Sequence, residues 1–200
     1  VLFRSRQPST PDELPIKSLP TTLVLELTEP VQIFHFEGID EAPVPSLLRD
    51  FSAPVILEYD YSDDQLAFLL AHDSDPFNRW EAGQRLMMRR LLSLADHGVK
   101  LEQPYPSNSL DQLIVDALSK LLRDETLDPA FRDLVLTLPS ESMLSEQVAV
   151  IDPQAIHDAR RSLRRFLAQS LQTTLIDTYH ANEVAGPYSA DPTATGRRSL

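Results

Sequence analysis

The sequence predicts a mainly α-helical protein, in which a partial β-sandwich remnant precedes a domain of irregular, HEAT-like antiparallel helix pairs. Eight of the 16 prolines fall before residue 62, and proline is poorly tolerated inside helices because it lacks a backbone donor. From residue 62 onward, capped helix starts are followed by apolar residues at helical spacing. We therefore expect an incomplete β-sandwich domain over residues 1–61 and the first part of a truncated helical domain over residues 62–200.

Three segments of the first third have strand-like patterns. Leu23, Leu25 and Leu27 recur at every second position between Thr22 and Thr28, which predicts a strand with one buried face. Residues 32–36 and 54–59 are also predicted as strands, the second with Val55, Leu57 and Tyr59 facing inward. A sandwich normally takes about seven strands. Three strands therefore indicate an incomplete β domain.

Capping residues predict where the helices of the second part begin. Ser62 and Gln65 have the spacing of a capping box, in which each side chain pairs with an orphan amide at the helix start. Aspartate is a favoured N-cap and proline is tolerated at the next position, where its missing N–H would be unpaired anyway. Four Asp-Pro pairs predict further helix starts: Asp75-Pro76, Asp128-Pro129, Asp152-Pro153 and Asp191-Pro192.

Apolar stripes follow these starts and predict which helix faces are buried. The longest predicted helix runs from Pro153 to about Ala181, and Gly98 is placed as a C-terminal stop. The last helix has only about two turns before residue 200, so we expect further sequence downstream. The predicted stripes are Phe77, Trp80, Met87, Leu91 and Leu94; Leu110, Leu113, Ala117 and Leu121; and Ile156, Leu163, Leu167, Leu171 and Leu175.

Composition excludes several functional classes. Thirty acidic and 18 basic residues give a net charge of −12, which disfavours nucleic acid and anionic membrane surfaces as partners. The chain has no cysteine, so a disulfide framework, a thiol nucleophile and a thiolate zinc site are excluded. The same absence fits a reducing compartment, and we expect a cytoplasmic location. No apolar run approaches the ~18 residues of a membrane helix.

The residues that could carry chemistry do not form a recognisable motif. The five histidines, His35, His72, His97, His157 and His180, lack the spacing of a zinc-ligand pair, and neither H-E-x-x-H nor G-x-S-x-G occurs. Trp80 with Phe77 and Met87-Met88 is interpreted as core rather than as a ligand pocket, and Asp63, Asp64 and Glu141 as helix caps. No catalytic, cofactor-binding or metal-binding residue is predicted in this chain.

The densest charge cluster is Arg160, Arg161, Arg164 and Arg165. On a helix these form a basic patch that could bind a phosphate or a peptide carboxylate. Solvation, or weak pairing with acidic neighbours worth under about 1 kcal/mol per pair, explains the cluster more simply.

Five separated blocks of the sequence resemble bacterial aminopeptidase N, the zinc-dependent alanyl aminopeptidases of the gluzincin class. The resemblance runs from about residue 20 to the end in one collinear order. It is carried by residues 43–55 (PVPSLLRDFSAPV), 61–66 (YSDDQL) with 77–82 (FNRWEA), 136–141 (LTLPSE), 151–153 (IDP) and 196–200 (GRRSL).

The resemblance implies that the longer parent enzyme removes N-terminal amino acids from peptides with a zinc ion. Its zinc ligands and general base would lie in a catalytic domain upstream of the matched part, and none is assigned to this chain. The matched part corresponds to the end of a β-sandwich and the start of a helical domain that covers the active site. We expect this portion to be structural, to pack against the catalytic domain, to gate peptide access, and to be inactive and free of bound cofactor in isolation.

A function of a different class also remains open. A stand-alone helical-repeat module could bind an extended peptide along a concave face without catalysis. Such a module would be monomeric and would melt cooperatively without further sequence, whereas a piece of a longer enzyme would expose apolar surface around Leu23, Leu25 and Leu27.

Overall fold

A computed structural model describes residues 22–36 and 42–200 of the chain. These residues belong to two compact units that divide between Val55 and Ile56. Regular structure in the described part of the first unit is a single 3-10 turn, Arg49–Phe51. The second unit is built from α-helices, which confirms the mainly α fold class.

The three predicted strands are not formed in the described residues. Segments 22–28, 32–36 and 54–59 have no strand assignment, because a strand is defined by ladder hydrogen bonds to a partner and none pairs these segments. The inward orientation predicted for Val55, Leu57 and Tyr59 is wrong: their exposed fractions are 60%, 37% and 38%. Alternation marks a possible sheet face but does not supply the neighbour that buries it.

Eight helices form the described part of the second unit. They are α1 (Asp63–His72), α2 (Pro76–Asp96), α3 (Ser109–Arg123), α4 (Pro129–Leu136), α5 (Glu141–Ser145), α6 (Pro153–Ser170), α7 (Gln172–Ala181) and α8 (Pro192–Ser199). The capping box of Ser62 and Gln65 is present at α1. All four Asp-Pro pairs cap helices as predicted, with the aspartate side chain accepting a backbone N–H.

The stop predicted at Gly98 is confirmed as a Schellman motif. Gly98 has φ +60°, its N–H donates to the Ala95 carbonyl at 3.0 Å, and the Val99 N–H donates to the Leu94 carbonyl at 3.2 Å. These two bonds satisfy carbonyls that the helix end leaves without partners. Glycine suits this position because it has no Cβ to oppose a left-handed backbone.

Two arginines of α2 show that α1 and α2 are antiparallel. Arg79, in the first turns of α2, donates to the carbonyls of Leu70 and Ala71 at the end of α1. Ten residues later, Arg89 donates to Asp63 at the start of α1, at 2.6 Å. The chain therefore reverses direction across a three-residue connection, as expected for a helical hairpin.

The predicted helix over residues 153–181 is two helices. The break lies at Leu171, whose φ of −102° and ψ of 10° interrupt the helical backbone. Leu171 is 4% exposed, so its side chain continues the buried stripe across the break. Hydrophobic periodicity reports burial and does not register a local change of backbone direction that preserves it.

The core follows the predicted stripes with a shift on α3. Met87, Leu91 and Leu94 of α2 and Ile156, Leu163, Leu167 and Leu171 of the α6 stripe are buried as expected. Phe77, Trp80, Leu110, Leu113 and Leu175 are only partly buried. Helix α3 instead turns its neighbouring row toward the core, namely Ile114, Leu118 and Leu122 in addition to Ala117 and Leu121.

The last helix packs closely on α4. A Cβ added at Gly196 of α8 would lie 3.1 Å from the Ala130 Cβ and 3.2 Å from the Ala130 nitrogen. Arg197 donates to the carbonyls of Ala181 and Glu183 at 3.0 and 3.1 Å. Helix α8 is therefore held by tertiary contacts, which a helix of only two turns requires in water.

Candidate functional site

One buried polar cluster centres on Arg90 and Asp111. Helix α2 presents Arg90, the capping box at the start of α3 presents Asp111, and the connecting segment contributes Tyr105. The Arg90 guanidinium meets both carboxylate oxygens at 2.8 Å. The Tyr105 hydroxyl and the Asn108 N–H donate to the same carboxylate at 2.7 and 2.8 Å. Four donors therefore satisfy one buried carboxylate.

The environment of this cluster favours a charged Arg90 and a neutral Tyr105. Burial lowers the pKa of Arg90, but the hydrogen bond to Asp111 and the charges of Tyr105 and Asp111 outweigh burial and raise that pKa. Burial, followed by the hydrogen bond to Asp111, raises the pKa of Tyr105. Tyr105 therefore stays neutral and Arg90 stays charged at physiological pH. This arrangement fixes the segment between α2 and α3.

Two further arginines bond one helix to the end of the preceding helix, at connections that we call helix corners. Both lie in the same local sequence, Asp-Pro-x-x-Arg. Arg79 of residues 75–79 and Arg132 of residues 128–132 each donate to carbonyls at the end of the preceding helix. For Arg132 the acceptor is the Leu122 carbonyl at 3.0 Å. Cationic groups are favourable at a helix C-terminus because the last carbonyls lack partners and carry partial negative charge.

All five histidines lie at the surface. His157 meets Glu141 at 2.9 Å and His180 meets Glu183 at 3.1 Å. His72 stacks on Phe68 and lies 2.9 Å from the Lys120 amino group. Burial, followed by the charge of Lys120, lowers the pKa of His72. The imidazoles of His72, His157 and His180 therefore each have a local surface partner.

The described residues do not fit a zinc site. Over residues 22–36 and 42–200, no three His, Asp or Glu side chains are grouped so that they could hold a metal ion. The paired carboxylates lie where helix capping places them. Asp63 and Asp64 are in the first turn of α1, and Glu141 is in the first turn of α5.

The arginine cluster of α6 borders open surface. Arg161, Arg164 and Arg165 are exposed and Arg160 is half-buried. Arg160 donates to the Pro139 carbonyl at 2.9 Å. None of the four belongs to an ion pair within the described part of the chain, so pairing with acidic neighbours does not explain the cluster there.

Sequence reasoning missed the Arg90 cluster and the arginine-capped corners. The corners had a detectable signal, because Asp-Pro-x-x-Arg occurs at residues 75–79 and again at 128–132. Arg90 had a weaker signal: it lies three residues after Met87 and four before Leu94, on the buried face of α2, but its partners lie 15 to 21 positions further along the chain. Its neighbour Arg89 lies off that face and is half-buried.

No helix within the described residues combines the length and apolar character needed to cross a membrane.

Two family models match the sequence. Residues 63–200 match a domain of unknown function, DUF3458_C, described as ARM repeats. Residues 9–60 match the domain of unknown function DUF3458, described as having an Ig-like fold. ARM repeats are stacked helices, as in the second unit, and an Ig-like fold is a β-sandwich.

Three relatives of this chain are named aminopeptidase N. The chain is 42% identical over 164 residues to aminopeptidase N of Escherichia coli (strain K12), which covers 82% of this chain and 18% of that protein. It is 36% identical over 179 residues to aminopeptidase N of Caulobacter vibrioides, covering 90% of this chain and 20% of that protein. The chain thus spans about a fifth of the length of these relatives.

A solved structure shares the fold. The structure of Legionella pneumophila aminopeptidase A in complex with aspartic acid aligns with a TM-score of 0.65 and 30% identity, over 84% of this chain and 19% of that one. The named relatives confirm the resemblance to aminopeptidase N. With its helical region matched from residue 63 to residue 200, the chain belongs to the DUF3458_C family of ARM-repeat domains.

Proposed function

We propose that this chain is a segment of a zinc-dependent aminopeptidase N, in which it supplies architecture rather than catalytic groups. The observation that carries the proposal is the 42% identity to aminopeptidase N of Escherichia coli over 82% of this chain. In the whole enzyme a zinc-activated water would attack the first peptide bond of a substrate. The zinc ligands would come from the catalytic domain, with which this segment would pack.

The polar chemistry of the helical unit supports a structural role. Arg79, Arg90 and Arg132 are buried and directed at helix ends and at Asp111. Such contacts fix the angles between helices, which a wall beside an active site requires. We propose that this wall limits which peptides reach the zinc, and that the parent enzyme acts in the cytoplasm on peptide substrates.

A segment exchange tests the family role. Residues 63–200 of this chain would replace the matching segment of Escherichia coli aminopeptidase N, and hydrolysis of alanine p-nitroanilide would be measured. The proposal predicts a folded chimera that hydrolyses the anilide within about tenfold of the parent's kcat/KM, a barrier change of about 1.4 kcal/mol. A folded, zinc-loaded chimera without turnover would contradict it.

A second candidate function is a helical-repeat module that binds an extended peptide. The ARM-repeat description of residues 63–200 favours it, because repeat domains present long binding surfaces. Size-exclusion chromatography and a thermal melt separate the two proposals. The module predicts a monomer with one cooperative transition, whereas the enzyme segment predicts self-association or dye binding through apolar side chains such as Leu27 and Val24, 74% and 86% exposed.

A further inference from the structure

The segment that follows α2 forms a cleft with α6. Two cavities lie there and share Leu101 and Arg165 in their linings. The outer one, about 480 Å³, is also lined by Glu102 and Arg161. The inner one, about 210 Å³, is lined further by Gln103, Pro104, Tyr105, Ser162, Phe166 and Gln169. Together they offer a charged mouth and a mixed apolar and amide interior.

The inner wall of this cleft is fixed before any ligand arrives. The rings of Tyr105 and Phe166 stack with centroids 4.3 Å apart, and the Tyr105 hydroxyl is bonded to the buried Asp111. A wall that is already ordered loses little conformational freedom on binding. The cleft therefore has the rigidity of a binding site on one side.

Ser162 lies at the inner cavity with a hydroxyl that lacks a partner. The residue is 6% exposed, and its Oγ makes no hydrogen bond within the described part of the chain. A buried hydroxyl without a partner is costly, so such groups in native proteins normally have a partner. Ser162 and Arg165 both line this cavity.

The two arginines at the mouth are available to an anion. Arg161 and Arg165 are one helical turn apart, so their side chains share a face of α6. Neither belongs to an ion pair within residues 22–36 and 42–200. Arg165 reaches the opposite wall through a long hydrogen bond of 3.4 Å to the Leu101 carbonyl. Guanidinium groups bind carboxylate and phosphate in two-pronged geometry.

We propose that the cleft between residues 101–105 and α6 binds the oxyanion of a small organic molecule, a carboxylate or a phosphate, on Arg161, Ser162 and Arg165. The apolar and amide side chains of the inner cavity would receive the rest of the ligand. Glu102, on the outer cavity, would oppose the anion and set a limit on its charge. This site is independent of the proposed peptidase role.

Calorimetric titration of the chain at constant ionic strength tests the proposal. The probes are glutarate, inorganic phosphate and the uncharged analogue glutaramide. We expect saturable one-site binding of at least one oxyanion with a dissociation constant of about 1 mM or tighter, and none of glutaramide. The tighter of the two oxyanions identifies the ligand class. Absence of saturable binding by both up to about 50 mM would overturn the proposal.

Matched variants locate the binding. Arg161→Gln and Arg165→Gln are expected to weaken oxyanion binding by about tenfold each, and Ser162→Ala by about threefold. Arg164→Gln, an exposed arginine of the same helix outside both cavity linings, is the control and should change binding less than about twofold. Equal weakening by Arg164→Gln would show a diffuse charge effect and contradict the site.

A gain-of-affinity variant guards against loss through unfolding. Glu102→Gln removes a like charge from the cleft and should tighten oxyanion binding by about threefold. Unchanged or weaker binding by this variant, with its circular dichroism spectrum intact, would contradict the placement of the anion beside Glu102.

Discussion

The buried and exposed arginines of the helical unit differ in what surrounds them rather than in residue type. Arg79, Arg90 and Arg132 are 7%, 3% and 6% exposed, and each directs its donors at carbonyls or a carboxylate. Arg161 and Arg164, on α6, are exposed and outside the ion pairs of the described residues. The first set holds helices together, and the second faces solvent.

The number of arginines is therefore a poor guide to function in this chain. A buried guanidinium whose donors are bonded fixes geometry, because breaking its contacts leaves a charge or carbonyl without a partner in a low-dielectric interior. An exposed guanidinium contributes little to stability but remains free to meet a ligand. Substitutions should therefore separate the two sets cleanly, by stability in one and by binding in the other.

The largest effect is expected at Arg90. Arg90→Met would leave the Asp111 carboxylate, 1% exposed, buried without its countercharge, and we expect a loss of about 3–5 kcal/mol in the free energy of unfolding. Urea denaturation followed by circular dichroism measures it. Arg164→Met is the matched control, and a loss at Arg90 no larger than at Arg164 would contradict the comparison.

We expect the next largest losses in the free energy of unfolding at the two helix-corner arginines, and a larger loss at Arg79 than at Arg132. Arg79→Met removes two hydrogen bonds to the end of α1 and a 3.9 Å contact with Asp124, so we expect a cost of about 2–3 kcal/mol. Arg132→Met removes one bond to Leu122, and the Nε of Arg132 has no hydrogen-bond partner within the described residues. We therefore expect only about 1 kcal/mol there. The same denaturation series tests the order, and a reversed order would refute this account of the corners.

A smaller, pH-dependent effect is expected at Tyr61, which is 5% exposed. Burial, followed by the nearby Tyr59, raises the pKa of Tyr61 from 10.0 to about 12. Above pH 10 the unfolded tyrosine loses its proton while the folded one keeps it. The unfolded state thus binds fewer protons, and stability falls as pH rises toward 12. Tyr61→Phe should remove about 1–2 kcal/mol of this decline, as measured by urea denaturation between pH 9 and 12.

The control for the alkaline series is Tyr179→Phe, at a tyrosine that is 61% exposed. Its decline in stability should match that of the unchanged chain. If Tyr61→Phe and Tyr179→Phe give identical profiles, burial of Tyr61 does not contribute to the alkaline loss.

The smallest effects are expected at the exposed arginines. Arg161→Gln and Arg165→Gln should each change the free energy of unfolding by less than about 0.5 kcal/mol. The expected absence of a stability effect matters because it allows any loss of oxyanion binding to be read as loss of a contact. A loss above about 1 kcal/mol in the free energy of unfolding would group these side chains with the buried arginines and contradict the distinction between the two sets.

The sequence predicted the parts of this fold that local chemistry determines. Asp75, Asp128, Asp152 and Asp191 cap helices because a carboxylate followed by proline satisfies a helix start wherever it stands. Gly98 ends α2 because a left-handed residue is needed there. These outcomes depend on neighbours within a few positions and could be read directly.

Features that depend on distant partners could not be predicted from the sequence. The break at Leu171 keeps the same face buried, so periodicity does not reveal it. The Arg90–Asp111 pair joins residues 21 positions apart, so helical spacing places Arg90 on the buried face of α2 but does not identify its partner. The strand prediction fails for the same reason. Leu23 and Leu27 alternate as in a strand, but the local sequence does not specify which segment would pair with them.

We propose that this chain supplies architecture and carries no hydrolytic chemistry of its own. The most direct test is hydrolysis of alanine p-nitroanilide by the purified 200-residue chain, with zinc titrated in and then removed by a chelator. We predict a rate equal to the buffer background at every zinc concentration. Turnover that rises with zinc, saturates with substrate and disappears with the chelator would contradict the claim.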